Sequence, residues 1–214
     1  MFGTGEVDNL MDEQSNTLSL RLEEISLHFT KVGLKFSTTN SSVPPWAHKN
    51  NKSVRETLEH HKYSKLRSLC NNYLSELDRP LGAFLLDLRE RGDLLYKHFL
   101  NADGDAVFTE FSLVDSGASR LRGLYIYKVG QEIVYVGRCL DCFGKRINQG
   151  YGKIHPKNCY IDGQRTNCRL NALVTSNQSE IALYICPLEL EHDISRLESS
   201  LLRTLRPRWN RQFS

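Results

Sequence analysis

The sequence predicts an α+β or α/β fold, with a small central β-sheet flanked by helices over residues 119–214 and a mostly α-helical region over residues 1–118. Three observations carry this. Apolar residues in the first half recur at helical spacing, those between residues 124 and 136 alternate with a period of two, and a final helical stripe over 194–205 stops at Pro207.

The chain has 214 residues, 40% of them hydrophobic and 25% charged, enough for one large domain or two small ones. It has no run of eighteen apolar residues. The start, MFGTGEVDNLMDEQSN, is acidic and polar where a signal peptide would be basic and then apolar, so a cytoplasmic protein without membrane partners is expected. Six cysteines in a chain of this length, with no secretion signal, read as thiols or metal ligands rather than a disulfide framework. The net charge of +3 hides an uneven split. Residues 1–118 carry 13 Lys/Arg against 17 Asp/Glu, and residues 119–214 carry 15 against 8. The second half is therefore the one expected to meet a polyanion.

Taken in order, the first dozen residues read as a frayed tail. Leu18, Leu22, Ile25 and Phe29 then fall on one face of a helix. Residues 38–45, with two prolines, interrupt. A second helix is predicted over Val54–Leu77, and a third starts at Pro80 and carries Leu81, Phe84, Leu85, Leu88 and Leu95. Asn101, Asp103 and Asp105 resemble the opening of a calcium loop. Ala106, Val107 and Phe108 cannot supply the later side-chain ligands, so an ordinary turn is expected. Asp115–Ser119 reads as a hinge. Beyond it, Leu124 to Val136 forms a β-hairpin around Gly130, a short helix covers Leu140–Gln149, Ile181–Cys186 is a third strand, and Ile194–Leu205 is the last helix. Residues 151–171 are basic and turn-rich without clear periodicity.

One residue of the last helix is out of place on physical grounds. Ile194, Glu198, Leu201 and Leu205 share a stripe, so Glu198 puts a carboxylate on the face that should pack on the sheet. Burying it is costly unless a cation or metal from elsewhere in the fold meets it, since Arg203 and Arg206 point to other faces.

These residues together resemble the GIY-YIG endonuclease superfamily. Gly123-Leu-Tyr125 and Tyr135-Val-Gly137 are similar to its two signature tripeptides, and Arg146 to the arginine on the following helix. Glu198 followed by Pro207, Trp209 and Asn210 is similar to its closing segment. The resemblance covers residues 120–212 and says nothing about 1–118, for which a DNA clamp, a dimer interface and a scaffold all stay open.

It implies a divalent-metal-dependent endonuclease acting on double-stranded DNA. In that scheme Mg²⁺ (or Mn²⁺) sits on Glu198, Arg146 clamps the phosphate, Tyr125 is the general base with Tyr135 beside it, and Asn210 fixes the backbone. A free tyrosine, with a pKa near ~10, needs nearby cations to lower it, and Lys145, Lys153 and His155 are the local candidates. The size points to a type II-like restriction enzyme. Cutting both strands of a palindrome then calls for two active sites, hence a dimer or tetramer. A repair-like or nonspecific nuclease is the alternative within the same chemistry.

The sequence also sets a condition on the hairpin. A plain two-residue turn at Gly130-Gln131 would pair Tyr125 with Val136 and put the two tyrosines on opposite faces. A shared site therefore requires an odd-length turn or a bulge.

The basic stretch offers Arg138, Lys145, Lys153, Lys157, Arg165 and Arg169 for phosphate contact, and Asn158, Gln164, Arg165 and Asn167 as residue types that read base edges. Cys139, Cys142, His155 and Cys159, with Cys168 spare, have finger-like spacing for a structural zinc. A non-catalytic zinc-containing nucleic-acid-binding module is the reading this would support. Buried free thiols, common as small core residues, are the competing and stronger reading.

Overall fold

The computed structural model describes residues 16–22, 25–38 and 43–211, so the expected frayed tail lies outside the described residues. In chain order the elements are β1 (Thr17–Leu22), β2 (Ile25–Val32), β3 (Leu34–Phe36), α1 (Val54–Glu59), α2 (Leu81–Glu90), β4 (Phe111–Leu113) and α3 (Ser116–Arg120). They continue with β5 (Gly123–Val129), β6 (Glu132–Cys139), α4 (Arg165–Ser176), β7 (Ile181–Pro187) and α5 (Glu191–Leu205). A π-helical turn, Gly144–Tyr151, follows β6, and several short 3₁₀ turns join the rest. Among the described residues no helix is long and apolar enough to cross a membrane.

The mixed α and β class agrees with the sequence, but the chain does not divide at residue 118. One compact unit comprises Met1–Phe36, Phe111–Gly152 and Ser176–Ser214, and the other Ser37–Glu110 and Lys153–Thr175. The first unit is built on a five-stranded antiparallel sheet in the order β1-β2-β7-β5-β6. The stretch read as the first helix is therefore a hairpin. Leu18 and Leu22 share a side in either conformation, because four residues is an even spacing on a strand and about one turn of a helix. Leu20 decides, being buried with them while Thr17 and Arg21 face solvent, which is period two. On that face, Leu18, Leu20, Leu27, Phe29, Leu124, Ile126 and Val136 pack with Ile194, Leu197, Leu201 and Leu202 of α5. The predicted hinge at Asp115–Ser119 is instead the start of α3, with the Asp115 carboxylate accepting from the amides of Gly117 (2.7 Å) and Ala118 (3.1 Å).

The second unit has its own core around Trp46, Tyr63, Phe84, Leu85, Leu88, Phe99 and Tyr160. The single helix predicted over 54–77 is broken there. α1 starts with a Ser53/Glu56 capping box but ends at Glu59, where His60 turns extended, and the turns after it kink again at Tyr73. Asp103 pairs with Arg165, and Asp105 accepts from Trp46 (3.1 Å) and Tyr96 (2.7 Å), so the calcium-like stretch is the ordinary turn expected. The basic region without periodicity contains a helix the sequence did not announce, α4. Its Asn171 is buried and bonds both backbone groups of Thr109, donating to the carbonyl (2.9 Å) and accepting from the amide (3.2 Å). A polar residue on the inner face is what hid the helical stripe.

Candidate functional site

The β5–β6 hairpin meets the condition set by the sequence. Val129 pairs with Glu132 and Lys128 with Ile133 across Gly130-Gln131, and the register then shifts so that Tyr127 pairs with Tyr135 and Tyr125 with Gly137. Val134 is the extra residue of a β-bulge. With it, Tyr125, Tyr127 and Tyr135 share one face of the sheet, and the ring centres of Tyr125 and Tyr135 lie 5.9 Å apart. Gly137 makes this possible, because the Tyr125 ring lies where a side chain at 137 would be.

The segment after α5 holds the bulged strand from its open edge. β6 ends the sheet, and there Trp209 donates its amide to Val134 (2.9 Å). The Asn210 side chain accepts from the Val136 amide (3.0 Å) and donates to the Val136 carbonyl (2.8 Å). The role read for Asn210, fixing backbone, is its geometry here. Asn210→Ala is expected to cost about 1–3 kcal/mol, since both polar groups of a buried residue lose a partner. Thermal unfolding followed by circular dichroism measures it.

Arg146 reaches the tyrosine face from the π-helical turn. Its Nε donates to the Tyr125 hydroxyl (3.3 Å) and its guanidinium lies 5.6 Å from the ring centre of Tyr151. The Tyr127 and Tyr151 hydroxyls are hydrogen-bonded at 3.2 Å. Neither Tyr127 nor Tyr151 was picked out from the sequence. Tyr127 was legible, since it follows Tyr125 by two on the same strand. Tyr151 was not, because an ordinary helix ending at Gly150 excludes it.

Glu198 lies on the opposite, α5-packed face with Arg138, which pairs with Leu124 in the sheet and so shares its side. The partner that the misplaced carboxylate required is Arg138, with Nη1 to Oε2 at 3.2 Å and the Glu198 side chain 17% exposed. Arg138 was expected on DNA and is instead engaged within the protein. Burial raises the Glu198 pKa above the usual carboxylate range, opposed by Arg138 and, more weakly, by Arg146.

The expectation that cations lower the Tyr125 pKa is overturned. Tyr125 is fully buried and burial pushes its pKa up, with Arg146 offsetting only part. Its oxygen accepts a bond from Arg146, which favours the ionised form, but burial favours the neutral phenol more strongly. Tyr135, 8% exposed, is the least enclosed of the four tyrosines.

The other predicted residues are placed less favourably for chemistry. His155 belongs to the second unit, where its Nδ1 accepts from the Lys157 amide (3.2 Å) and its own amide donates to Asn158 (3.1 Å), forming a cap. Asn158 is thereby occupied, and Asn167 is buried with its amide donating to Gln164 (2.9 Å), which removes it from base reading. Lys145 pairs with Asp141, Lys153 with Glu110 (3.2 Å) and Arg165 with Asp103, whereas Lys157 is exposed. Arg169, half-buried on α4, lies in the second unit.

Counted over the two units, the basic excess is not where the halves put it. The sheet-bearing unit has 14 cations and 14 anions, and the second unit 14 and 11.

The zinc set is divided as well. Cys139 and Cys142 belong to the first unit and His155 and Cys159 to the second, where the Cys159 and Cys168 sulfurs lie 3.9 Å apart. No group of three or more His, Cys, Asp or Glu side chains that could hold a metal ion occurs among the described residues.

In comparison with known proteins, no family model matches this chain, and neither does any curated protein or solved structure.

Proposed function

We propose that the protein is a divalent-metal-dependent endonuclease of the GIY-YIG type, acting on double-stranded DNA as a sequence-specific, type II-like restriction enzyme in dimeric or tetrameric form. The observation that carries this reading is the Val134 bulge. It puts Tyr125 and Tyr135 on one face, where Arg146 joins them in a phenol–guanidinium cluster, while the half-buried Glu198 carboxylate lies with Arg138 on the other face of the same edge strand.

Within this reading Arg146 has one N–H on Tyr125 and the rest of its donor fork for the non-bridging oxygens of a phosphodiester, where a fixed cation stabilises developing charge. Its orientation is set before substrate arrives. Tyr135, the least enclosed phenol, lies beside Tyr125 and orders the attacking water. Arg138 holds the Glu198 carboxylate ready in a half-buried setting. One carboxylate of this kind suits a weakly held, largely hydrated Mg²⁺ or Mn²⁺. Such an ion, when bound, supplies Lewis-acid polarisation of the phosphate and stabilises the leaving oxygen.

The test is to incubate the purified protein with long genomic DNA in Mg²⁺ and to sequence the fragment ends. Discrete fragments sharing a terminal motif, abolished by EDTA and lost with Arg146→Ala, are the expected outcome. Random nicking would move the assignment to a nonspecific or repair-like nuclease. DNA left intact in both Mg²⁺ and Mn²⁺ would overturn it.

A further inference from the structure

The turn that carries Arg146 is wider than an α-helix. The Gly152 amide donates to the Ile147 carbonyl (2.6 Å), five residues back, and the widened stretch runs from Gly144 to Tyr151. Such turns bring residues five apart towards the same side, as an α-helix does not. Arg146 and Tyr151 are five apart. Gly152 permits it, because a side chain there would strike the carbonyl oxygens of Phe111 (2.3 Å) and Ile147 (2.6 Å).

The result is a guanidinium held from two directions. Tyr125 accepts from its Nε, and the fully buried Tyr151 ring lies under it at 5.6 Å. That ring is itself fixed by the Tyr127 hydroxyl (3.2 Å) and stacked with the Tyr125 ring, 6.5 Å away at 29°.

We propose that Tyr151 is a positioning residue for the cleavage reaction: its ring forms the platform that aims the Arg146 guanidinium, and the Tyr127 hydroxyl locks that platform. The role rests on the nuclease reading above, since it serves the arginine assigned to the phosphate. A platform that costs nothing to reorganise matters for the chemical step and little for holding DNA. The expected signature is therefore a fall in kcat with KM nearly constant.

The experiment uses the full chain and a plasmid carrying a site identified from the fragment ends. Tyr151→Leu is expected to lower kcat on the order of 100-fold, and Tyr151→Phe or Tyr127→Phe about 3- to 10-fold, with KM changed less than about twofold. Affinity for the same duplex in EDTA, read by fluorescence anisotropy, stays near the wild-type value. Combining Tyr151→Leu with Arg146→Lys is expected to add little to the loss caused by Arg146→Lys alone.

If the two losses multiply, or if Tyr151→Leu weakens DNA binding as much as it slows cleavage, the positioning role is wrong. Should Tyr151→Leu unfold, Tyr127→Phe decides alone, because it keeps both rings, and wild-type kinetics for it would overturn the lock. Failure of the wild-type chain to cut any DNA removes the nuclease reading itself, a result distinct from a wild-type that cuts and a Tyr151→Leu that cuts equally well.

Discussion

Glu198→Gln is expected to abolish cleavage, by on the order of 10³-fold, while leaving the protein at least as stable as the wild type at neutral pH. The sign follows from burial. The folded-state pKa of Glu198 is raised, so the folded protein binds this proton more readily than the unfolded chain does. Its favourable contribution is complete below the ordinary glutamate pKa of ~4.3 and is lost as pH rises through the raised value, so the ionised carboxylate burdens the fold at pH 7. Glutamine keeps the shape without the buried charge. Arg138 is 44% exposed and can turn to solvent when its partner goes. Melting temperatures between pH 4 and pH 8 check this, with wild type and variant expected to converge at the acid end. A large loss of stability at pH 7 would mean that the Arg138 pair outweighs the desolvation of the carboxylate.

Gly137→Ala should lose both stability and activity. A methyl group there would lie 2.4 Å from Cζ of Tyr125, 2.6 Å from its hydroxyl and 2.7 Å from the Tyr135 ring, with neither ring free to swing because both are packed among aromatics. Overpacking of this kind costs about 1–3 kcal/mol. The movement falls on the phenol that anchors Arg146. The turnover rate is therefore expected to drop more than a destabilisation of that size explains, as measured on protein shown to be folded by circular dichroism. Gly123→Ala is stricter still in backbone terms. Gly123 has φ +142, and a β-carbon would sit 2.1 Å from the Cys186 carbonyl oxygen. That substitution should leave little folded protein in a soluble-expression assay.

Much of the site was legible because its logic is local. Strand alternation together with a shared site for the two tyrosines calls for an odd-length turn or a bulge, and Val134 supplies the bulge. A carboxylate inside an apolar stripe implied a cation from another element, and Arg138 is that cation. What could not be read depended on distant pairing or on departures from ideal geometry. The alternation of Leu18, Leu20 and Leu22 already marks β1 as a strand, but the place of its hairpin in the sheet depends on β2 finding β7, roughly 150 residues further along. The π-helical turn has no simple periodicity, which hid Tyr151. The direction of the Tyr125 pKa followed from enclosure, which only packing sets, and no count of nearby lysines could give it. Residue type alone makes His155 a reactive candidate and Asn167 a base reader, whereas capping and burial claim them instead.

The pairing of β2 with β7 also governs when the site can exist at all. Val32 meets Leu183 only after the whole intervening stretch, including all of the second unit, has been synthesised, and closing a loop of that length is slow. Until then the β1–β2 hairpin has made no contact with the strands it will join, and Leu18, Leu20 and Phe29 lack the α5 residues that cover them. Arg146 and the tyrosines leave the ribosome well before Glu198 and Asn210. In the proposed nuclease, a partly made chain would thus carry the phosphate clamp without the metal-holding carboxylate, and cutting competence would arrive in one late step.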